Sequence, residues 1–264
     1  MSTAAAPVPA QAAQADRITL SAPVFISDLH LNAALPATRA AFDRFVTEVA
    51  PRFAELVILG DLFEYWAGDD DDDPVGLQVS GQLRRLADSG VRVFVMHGNR
   101  DLLLGRDFCA RAGATLLADP TVALIGARQV LLAHGDAWCT QDLDYMKFRG
   151  YVRNPAFQAQ FLSKPLAARK EFIGEARAAS EAGKAAKDMQ IMDVTPAEVD
   201  AALRKADLNC VIHGHTHRPA THRFTLDGAE AERWVLPDWD LDAATPRGGY
   251  LAIHDGHWQV HALA

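Results

Sequence analysis

The sequence predicts an α/β sandwich built on buried, largely parallel strands. Four short apolar runs are separated by stretches with helical periodicity, and the runs are followed by Asp, Asn or His, often beside Gly. Apolar runs joined by helices are typical of parallel strands that are covered on both faces. Because ligands gather at the carboxyl ends of strands in such sheets, the residues that follow the runs are expected to meet at one edge.

The predicted elements follow one another in a regular order. The apolar runs are VFIS at 24–27, LVIL at 56–59, VRVFVM at 91–96 and QVLLA at 129–133, followed by Asp28, Gly60-Asp61, His97-Gly98-Asn99 and His134-Gly135-Asp136. Residues 37–50 and 76–89 between them have the periodicity of helices. A further run at 208–212 leads into HGHTH, and alternating segments at 222–226, 232–236, 249–254 and 257–262 predict antiparallel strands.

A helical insertion is predicted at about 143–206. This stretch is rich in Ala, lacks strand-like runs and contains prolines at 155, 165 and 196 that are expected to separate several helices. Nine basic and three acidic residues lie between Lys147 and Lys187, in a chain whose net charge is −8. Six aromatic residues accompany them, namely Tyr145, Phe148, Tyr151, Phe157, Phe161 and Phe172. The insertion therefore differs from the rest of the chain in charge and in composition.

Composition limits the class of protein. The acidic balance argues against a general nucleic-acid binder, which would show a basic footprint. Three cysteines without paired spacing, and no apolar stretch near the ~18 residues that span a bilayer, predict a cytoplasmic protein. Residues 1–17, rich in Ala and Pro, are predicted to be a disordered extension of one domain at 18–264. The acidic run Asp69–Asp73 is predicted to be a solvated loop.

Seven residues that follow strand-like runs have side chains that bind divalent cations. They are Asp28, His30, Asp61, Asn99, His134, His215 and His217. Each motif alone is weak, because Asp and Asn beside Gly are ordinary in turns. All five motifs in order, each after a strand-like run, indicate a metal centre. Mixed carboxylate, imidazole and amide ligands suit Mn²⁺, Zn²⁺ or Fe.

The ordered set DxH, GD, GNRD, H and GHxH between residues 24 and 217 resembles the calcineurin-like metallophosphoesterase superfamily. The resemblance implies a four-layer α/β/β/α sandwich with two metal ions at its edge. It assigns ligands by position: Asp28, His30 and His217 for one ion, Asn99, His134 and His215 for the other, and Asp61 as the bridge between them. Two such ions activate water for in-line attack on phosphorus, with Asp61, Asn99, Arg100 and His134 as the catalytic set.

Arg100 departs from most of that superfamily, whose members carry GNHD or GNHE where this chain has GNRD. Arginine does not donate a proton near neutral pH, but its guanidinium binds phosphate oxygens in a bidentate manner. The substitution favours a leaving group that needs no protonation. A phosphate released from an anhydride is such a group, whereas an alkoxide released from a simple ester is not.

Longer sequence segments point to one family within this superfamily. GDLFEYWAGDD (60–70), MHGNRD (96–101), HGDAWCTQDLDYMKFR (134–149) and IMDV (191–194) resemble the UDP-2,3-diacylglucosamine pyrophosphatase family of bacterial lipid A biosynthesis. That family implies hydrolysis of UDP-2,3-diacylglucosamine to UMP and 2,3-diacylglucosamine 1-phosphate (lipid X), usually with Mn²⁺, under a helical cap that holds the acyl chains. By position, the implied substrate contacts are Asn99, Arg100, Asp142, Ser180, Lys184, Lys187 and His215.

The composition of the insertion agrees with such a substrate, which needs cations near its phosphates and an apolar groove for its acyl chains. A basic and aromatic face also suits the anionic leaflet of a membrane, so a peripheral location on the cytoplasmic face of the inner membrane is expected. An aromatic stripe on helices is, however, more often part of a core than of a ligand site. No obligate protein partner is predicted.

Two alternatives remain at this point. A dinucleoside polyphosphate hydrolase or phosphoprotein phosphatase of the same superfamily would carry GNHE and lack the helical insertion. A non-catalytic scaffold of the same fold would have lost metal ligands, and all seven are present.

Overall fold

The apolar runs form strands, and the periodic stretches between them form helices. The computed structural model describes residues 15–184 and 193–263. The strands are β1 (Ala15–Leu20), β2 (Pro23–Ile26), β3 (Glu55–Leu59), β4 (Arg92–Met96), β5 (Ala114–Ile125), β6 (Arg128–Leu132), β7 (Cys210–His213), β8 (Ala220–Leu226), β9 (Ala229–Val235), β10 (Gly249–His254) and β11 (His257–Ala262). The helices are α1 (Pro36–Arg44), α2 (Pro74–Asp88), α3 (Arg106–Ala112), α4 (Leu143–Val152), α5 (Pro155–Leu162), α6 (Leu166–Lys184) and α7 (Pro196–Ala206).

All these strands belong to one sheet that curls on itself. The order is β11-β10-β2-β3-β4-β5-β6-β7-β9-β8, and β1 pairs with β5 beside this path. The long strand β5 joins the two halves, since its first residues pair in parallel with β4 and its last residues pair antiparallel with β6. β2, β3 and β4 run parallel, as do β6 and β7, so their carboxyl ends lie at the same edge of each half.

Alternation along the central strands produces the layers. In β3, Leu56 and Ile58 pack against α1, α2 and α3, whereas Val57 and Leu59 face a second cluster between the halves of the sheet. A third cluster lies outside β6 and β7, where α7 packs. Successive side chains of a strand point to opposite faces, so strands that are apolar throughout must be covered on both sides. The predicted four-layer α/β/β/α sandwich is confirmed.

Two features of the sheet differ from the predictions. The run at 129–133 forms β6 as expected, but it pairs antiparallel with β5 and only its pairing with β7 is parallel. β5 itself was not predicted. It contains Asp119-Pro120 and its burial does not alternate regularly, so it lacks the pattern by which a strand is recognised in sequence.

The helical insertion separates into two parts. Pro155 and Pro196 are the first residues of α5 and α7, and Pro165 immediately precedes α6, as the prolines predicted. However, Val199 and Leu203 of α7 belong to the apolar cluster on the outer face of the sheet. We therefore propose that the cap comprises α4 to α6 and that the predicted boundary near 206 is too late.

The first strand and the acidic run also differ from expectation. β1 begins at Ala15, inside the segment predicted to be disordered, while residues 1–14 lie outside the described part. Asp69 accepts hydrogen bonds from three backbone N–H groups at the start of α3, and Asp73 caps α2. The run is thus structural, because helix N-termini need acceptors for their free N–H groups. Among the described residues, no helix is long and apolar enough to cross a membrane.

Candidate dinuclear metal centre

The seven predicted ligands lie in the loops that follow β2, β3, β4, β6 and β7. Five of them have positive φ angles: Asp28 (56°), His30 (50°), Asp61 (52°), His215 (67°) and His217 (54°). Only three other described non-glycine residues share this conformation, which costs on the order of 1–3 kcal/mol per residue. Strain of this kind is retained where the surrounding structure imposes it, and here it turns five polar side chains toward one place.

Two glycines allow the loops to approach each other closely. A Cβ atom on Gly98 would overlap the carboxylate of Asp61, and one on Gly214 would overlap the carboxylate of Asp28. Glycine therefore precedes Asn99 and His215 for a steric reason, because any side chain at these two positions would displace a candidate ligand.

The first group of ligands comprises Asp28, His30 and His217, whose ligand atoms all lie within 4.8 Å of one another. Nε2 of His30 is 3.2 Å from Nε2 of His217, which in turn is 3.5 Å from Oδ1 of Asp28. Oδ2 of Asp28 accepts hydrogen bonds from Ser27 and the His215 backbone, whereas the buried Oδ1 has no hydrogen-bond partner among the described residues. A buried carboxylate oxygen left free beside two imidazole nitrogens fits a divalent cation.

The second group comprises Asp61, His134 and His215, again with ligand atoms within 4.8 Å of one another. Asn99 joins them, because its Oδ1 is 2.9 Å from Nδ1 of His215 and 3.2 Å from Nε2 of His134. Oδ2 of Asp61 is 3.7 Å from Nε2 of His134 and 3.8 Å from Nε2 of His30 in the first group. Asp61 thus stands between the two groups, with an imidazole of each within 3.8 Å of its Oδ2.

Oxygen atoms lie beside the Nδ1 atoms of three imidazoles, on the side away from the centre. Nδ1 of His134 donates to the carbonyl of Leu59 at 2.9 Å. Nδ1 of His30 lies 2.9 Å from Glu64, and Nδ1 of His217 lies 3.4 Å from Asp238. An acceptor at Nδ1 selects the tautomer whose Nε2 lone pair points into the centre, the usual arrangement for metal-bound histidine.

The charge balance of the centre also favours cations. Burial lowers the pKa of His215 to about 4, so this imidazole is neutral and able to bind a metal. Burial alone would also keep His134 neutral, but the carboxylates around it, Asp61 first, raise its pKa to about 9. The buried carboxylates therefore require positive charge nearby, and divalent cations would supply it in place of protons.

Two residues that the sequence analysis did not single out connect this centre to its surroundings. Glu64 contacts His30, lies 2.7 Å from Arg177 and 3.7 Å from Arg100, and has a pKa lowered to about 2: burial opposes the shift, and His30 and the two arginines outweigh it. Asp136 accepts hydrogen bonds from three side chains of the cap. In the sequence, the only indication of a role for these two acids is their place near predicted ligands: Glu64 lies in GDLFEYW with Asp61, and Asp136 lies in HGD with His134.

The predicted substrate contacts do not all lie at the candidate metal centre. Arg100 lies in the loop after β4, where its N–H donates to Asp61 at 2.8 Å and its side chain is 14% exposed. Asp142 caps α4 by accepting from the Tyr145 N–H at 3.0 Å. Lys187 and the side chains of Ser180 and Lys184 lie outside the described part of the chain. The structure thus brings all seven predicted ligands and Arg100 together at one edge.

Comparisons with known proteins show similarity over most of the chain. A family model described as calcineurin-like phosphoesterase matches residues 23–219, which include all seven candidate ligands. Proteins named UDP-2,3-diacylglucosamine hydrolase are similar over most of their length. One from Cellvibrio japonicus is 51% identical over 82% of this chain and 90% of its own, and one from Ralstonia nicotianae is 48% identical over 90% and 92%. Another, from Stenotrophomonas maltophilia, is 46% identical over 91% of this chain and 98% of its own.

Proposed function

This chain belongs to the calcineurin-like phosphoesterase family and, within it, to the UDP-2,3-diacylglucosamine hydrolases, and on that premise we propose how it acts on its substrate. It hydrolyses the pyrophosphate bond of UDP-2,3-diacylglucosamine by attack of water on the phosphorus that carries uridine. The products are UMP and 2,3-diacylglucosamine 1-phosphate, a step of lipid A biosynthesis.

The observation that carries the proposal is an arginine beside two ligand groups that share Asp61. Arg100 stands where most members of the superfamily place a histidine, and its backbone N–H donates to Asp61. An alcohol leaving group needs a proton donor, whereas a sugar phosphate leaves as an anion and needs only positive charge. The pairing of a metal centre with arginine therefore favours an anhydride substrate over a simple phosphate ester.

Each residue has a separate part in the reaction. Asp28, His30 and His217 would hold one divalent ion and Asn99, His134 and His215 the other, with Asp61 between them. When bound, the two ions supply activation of water and neutralisation of charge on phosphorus. Arg100 donates to the oxygens of the departing sugar phosphate. Glu64 orients both His30 and Arg100, because its carboxylate lies near both of them.

Hydrolysis in ¹⁸O-labelled water tests the direction of attack. The purified protein with Mn²⁺ and UDP-2,3-diacylglucosamine is expected to release UMP that carries the label, because the metal centre faces the uridine-linked phosphorus while the cap holds the sugar. Mass spectrometry of both products measures this. Label in the sugar 1-phosphate would show that attack occurs at the other phosphorus, and absence of UMP would refute the function.

The ions are proposed to be Mn²⁺. Four of the seven candidate ligands are histidines, which bind Mn²⁺ more readily than Mg²⁺, an ion that prefers oxygen ligands and retains its waters. We expect a chelator to remove activity and Mn²⁺ to restore more of it than Mg²⁺ does. Initial rates after dialysis and readdition of each ion measure the difference. Equal rescue by Mg²⁺ would contradict the assignment, as would full activity in the chelator.

The cap is proposed to hold the acyl chains and to rest on the membrane. Four of its large apolar side chains are exposed: Leu143 (67%), Phe148 (42%), Tyr151 (56%) and Leu162 (41%). Exposed apolar groups on a basic insertion suit hydrocarbon beside anionic head groups. Binding to anionic phospholipid vesicles is expected to fall in Leu143→Ser. Substitution of Leu77, which is similarly exposed on α2, is the control and should leave binding unchanged.

A further inference from the structure

The cap is attached to the sandwich by polar contacts rather than by a shared core. None of the three apolar clusters among the described residues contains a residue of α4, α5 or α6. Four aromatic residues of the cap instead contact one another, with ring centroids 4.2 Å apart for Tyr151 and Phe157 and 5.3 Å apart for Phe161 and Phe172. The cap therefore has a small core of its own and needs another means of fixing its position.

Asp136 provides the contact at α4. Its carboxylate is fully buried two residues after His134. It accepts a hydrogen bond from the hydroxyl of Tyr145 at 2.7 Å, from Nε of Arg149 at 2.9 Å and from Arg153 at 3.2 Å. All three donors belong to α4 or to its C-terminal cap residue. One carboxylate from the loop of a candidate metal ligand thus binds three side chains along the helix.

Arg153 connects α4 to a second loop of the centre. The guanidinium that donates to Asp136 also donates to the carbonyl of Gly98 at 3.2 Å, immediately before Asn99 and Arg100. At the other end of the cap, Arg169 pairs with Asp70, Lys170 lies 2.8 Å from Asp71, and Arg177 contacts Glu64. Each of these contacts reaches a loop that carries a predicted ligand or its neighbour.

A buried ionic contact fixes a position more narrowly than apolar packing does. Apolar surfaces remain favourable when they slide by a few tenths of an ångström, whereas hydrogen bonds to a charged group weaken steeply with distance and angle. Removing one partner leaves the others buried without compensation. Three donors that converge on Asp136 therefore define the height and the angle of α4. The centroid of the Tyr145 ring lies 5.9 Å from that of His215, so a shift of α4 would change the surroundings of a candidate metal ligand.

We propose that Asp136 is a positioning residue that holds the cap over the metal centre through Tyr145, Arg149 and Arg153. The part of this proposal that concerns lipid substrate rests on the proposed function. A substrate whose sugar and acyl chains lie under the cap depends on the angle of α4, whereas a small phosphodiester without acyl chains depends on the metal centre alone. Asp136 thereby contributes selectively to hydrolysis of the large substrate.

The test compares Asp136→Asn, Arg149→Gln and the double variant on two substrates. These are UDP-2,3-diacylglucosamine and bis(p-nitrophenyl) phosphate, and kcat and KM are measured for both. We expect the ratio of kcat/KM for the lipid over the small diester to fall about tenfold or more in each single variant, mainly through KM. The double variant is expected to lose no more than the worse single variant, because both changes break the same contact. Arg204→Gln, which breaks an exposed pair with Asp227, is the matched control and should leave the ratio unchanged.

Hydrogen exchange of the α4 amides tests the attachment without any substrate. Exchange across Leu143–Val152 is expected to rise in Asp136→Asn and in Arg149→Gln but not in Arg204→Gln. Equal loss on both substrates, additive losses in the double variant, or unchanged exchange in α4 would overturn the proposal. Failure of the wild-type protein to release UMP would instead refute the proposed function, and the exchange result would still decide whether Asp136 holds α4.

Discussion

Asp61→Ala is expected to abolish turnover, with a loss of about 10³-fold or more even when metal is in excess. Oδ2 of Asp61 lies 3.7 Å from Nε2 of His134 and 3.8 Å from Nε2 of His30, so this carboxylate is near an imidazole of each ligand group. Without it, two cations would face each other with no anion between them. Turnover and bound metal, measured together at saturating Mn²⁺, check the result.

Two further variants separate the charge of Asp61 from its structural contact. Asp61→Asn keeps an oxygen that can accept the Arg100 N–H, which Asp61 binds at 2.8 Å, but removes the negative charge. It is expected to fold as the wild type does and to remain nearly inactive. Asp227→Ala, at an exposed site, is the control for removal of an acid and should retain full turnover. Activity of Asp61→Ala above about a tenth of wild type would contradict the bridging role.

Arg100→Ala is expected to lower turnover by about 10²-fold or more, the scale seen when a donor to developing charge is removed. The guanidinium lies 3.7 Å from Glu64 and is 14% exposed, so it is held beside His30 with donors still open to a phosphate. In the proposed mechanism, its loss would leave the departing sugar phosphate without a partner. Steady-state kinetics on UDP-2,3-diacylglucosamine measure the effect, which should appear in kcat.

Replacement of Arg100 by histidine tests the chemical reason. Arg100→His recreates the common motif of the superfamily but lacks the bidentate fork, so it is not expected to restore wild-type turnover. Arg85→Ala, on the exposed face of α2, controls for removal of an arginine. Full recovery in Arg100→His would show that a proton donor serves as well as the guanidinium, and that the leaving group is not selected as proposed.

The candidate ligands could be identified from sequence because their positions depend on local structure. A buried parallel strand is apolar along its length, and the loop that follows it must place polar side chains at the open edge of the sheet. Asp28, Asp61 and Asn99 each follow such a strand, with a glycine beside the latter two. The order of the motifs therefore carried the information, and the resemblance to a known family followed from it.

The attachment of the cap could not be read in the same way. Asp136 is one more acid beside a glycine in the sequence, and its partners lie 9, 13 and 17 residues further on, on a helix. Asp69–Asp73 resembled a solvated loop because residue type alone does not distinguish an aspartate that caps a helix from one that is exposed to water. The aromatic residues of the insertion were ambiguous, and four of them in fact contact one another.

By itself, the sequence determined which side chains stand at the ends of the strands, because alternation and apolar runs are properties of neighbouring residues. Only the tertiary structure decided which of them meet. His30 and His217 are 187 residues apart, yet their Nε2 atoms are separated by 3.2 Å. They meet because β5 turns the sheet from β4 to β6, which brings the loop after β7 beside the loop after β2. Pairing between distant strands depends on the packing of the whole core, and no local pattern along the chain records it.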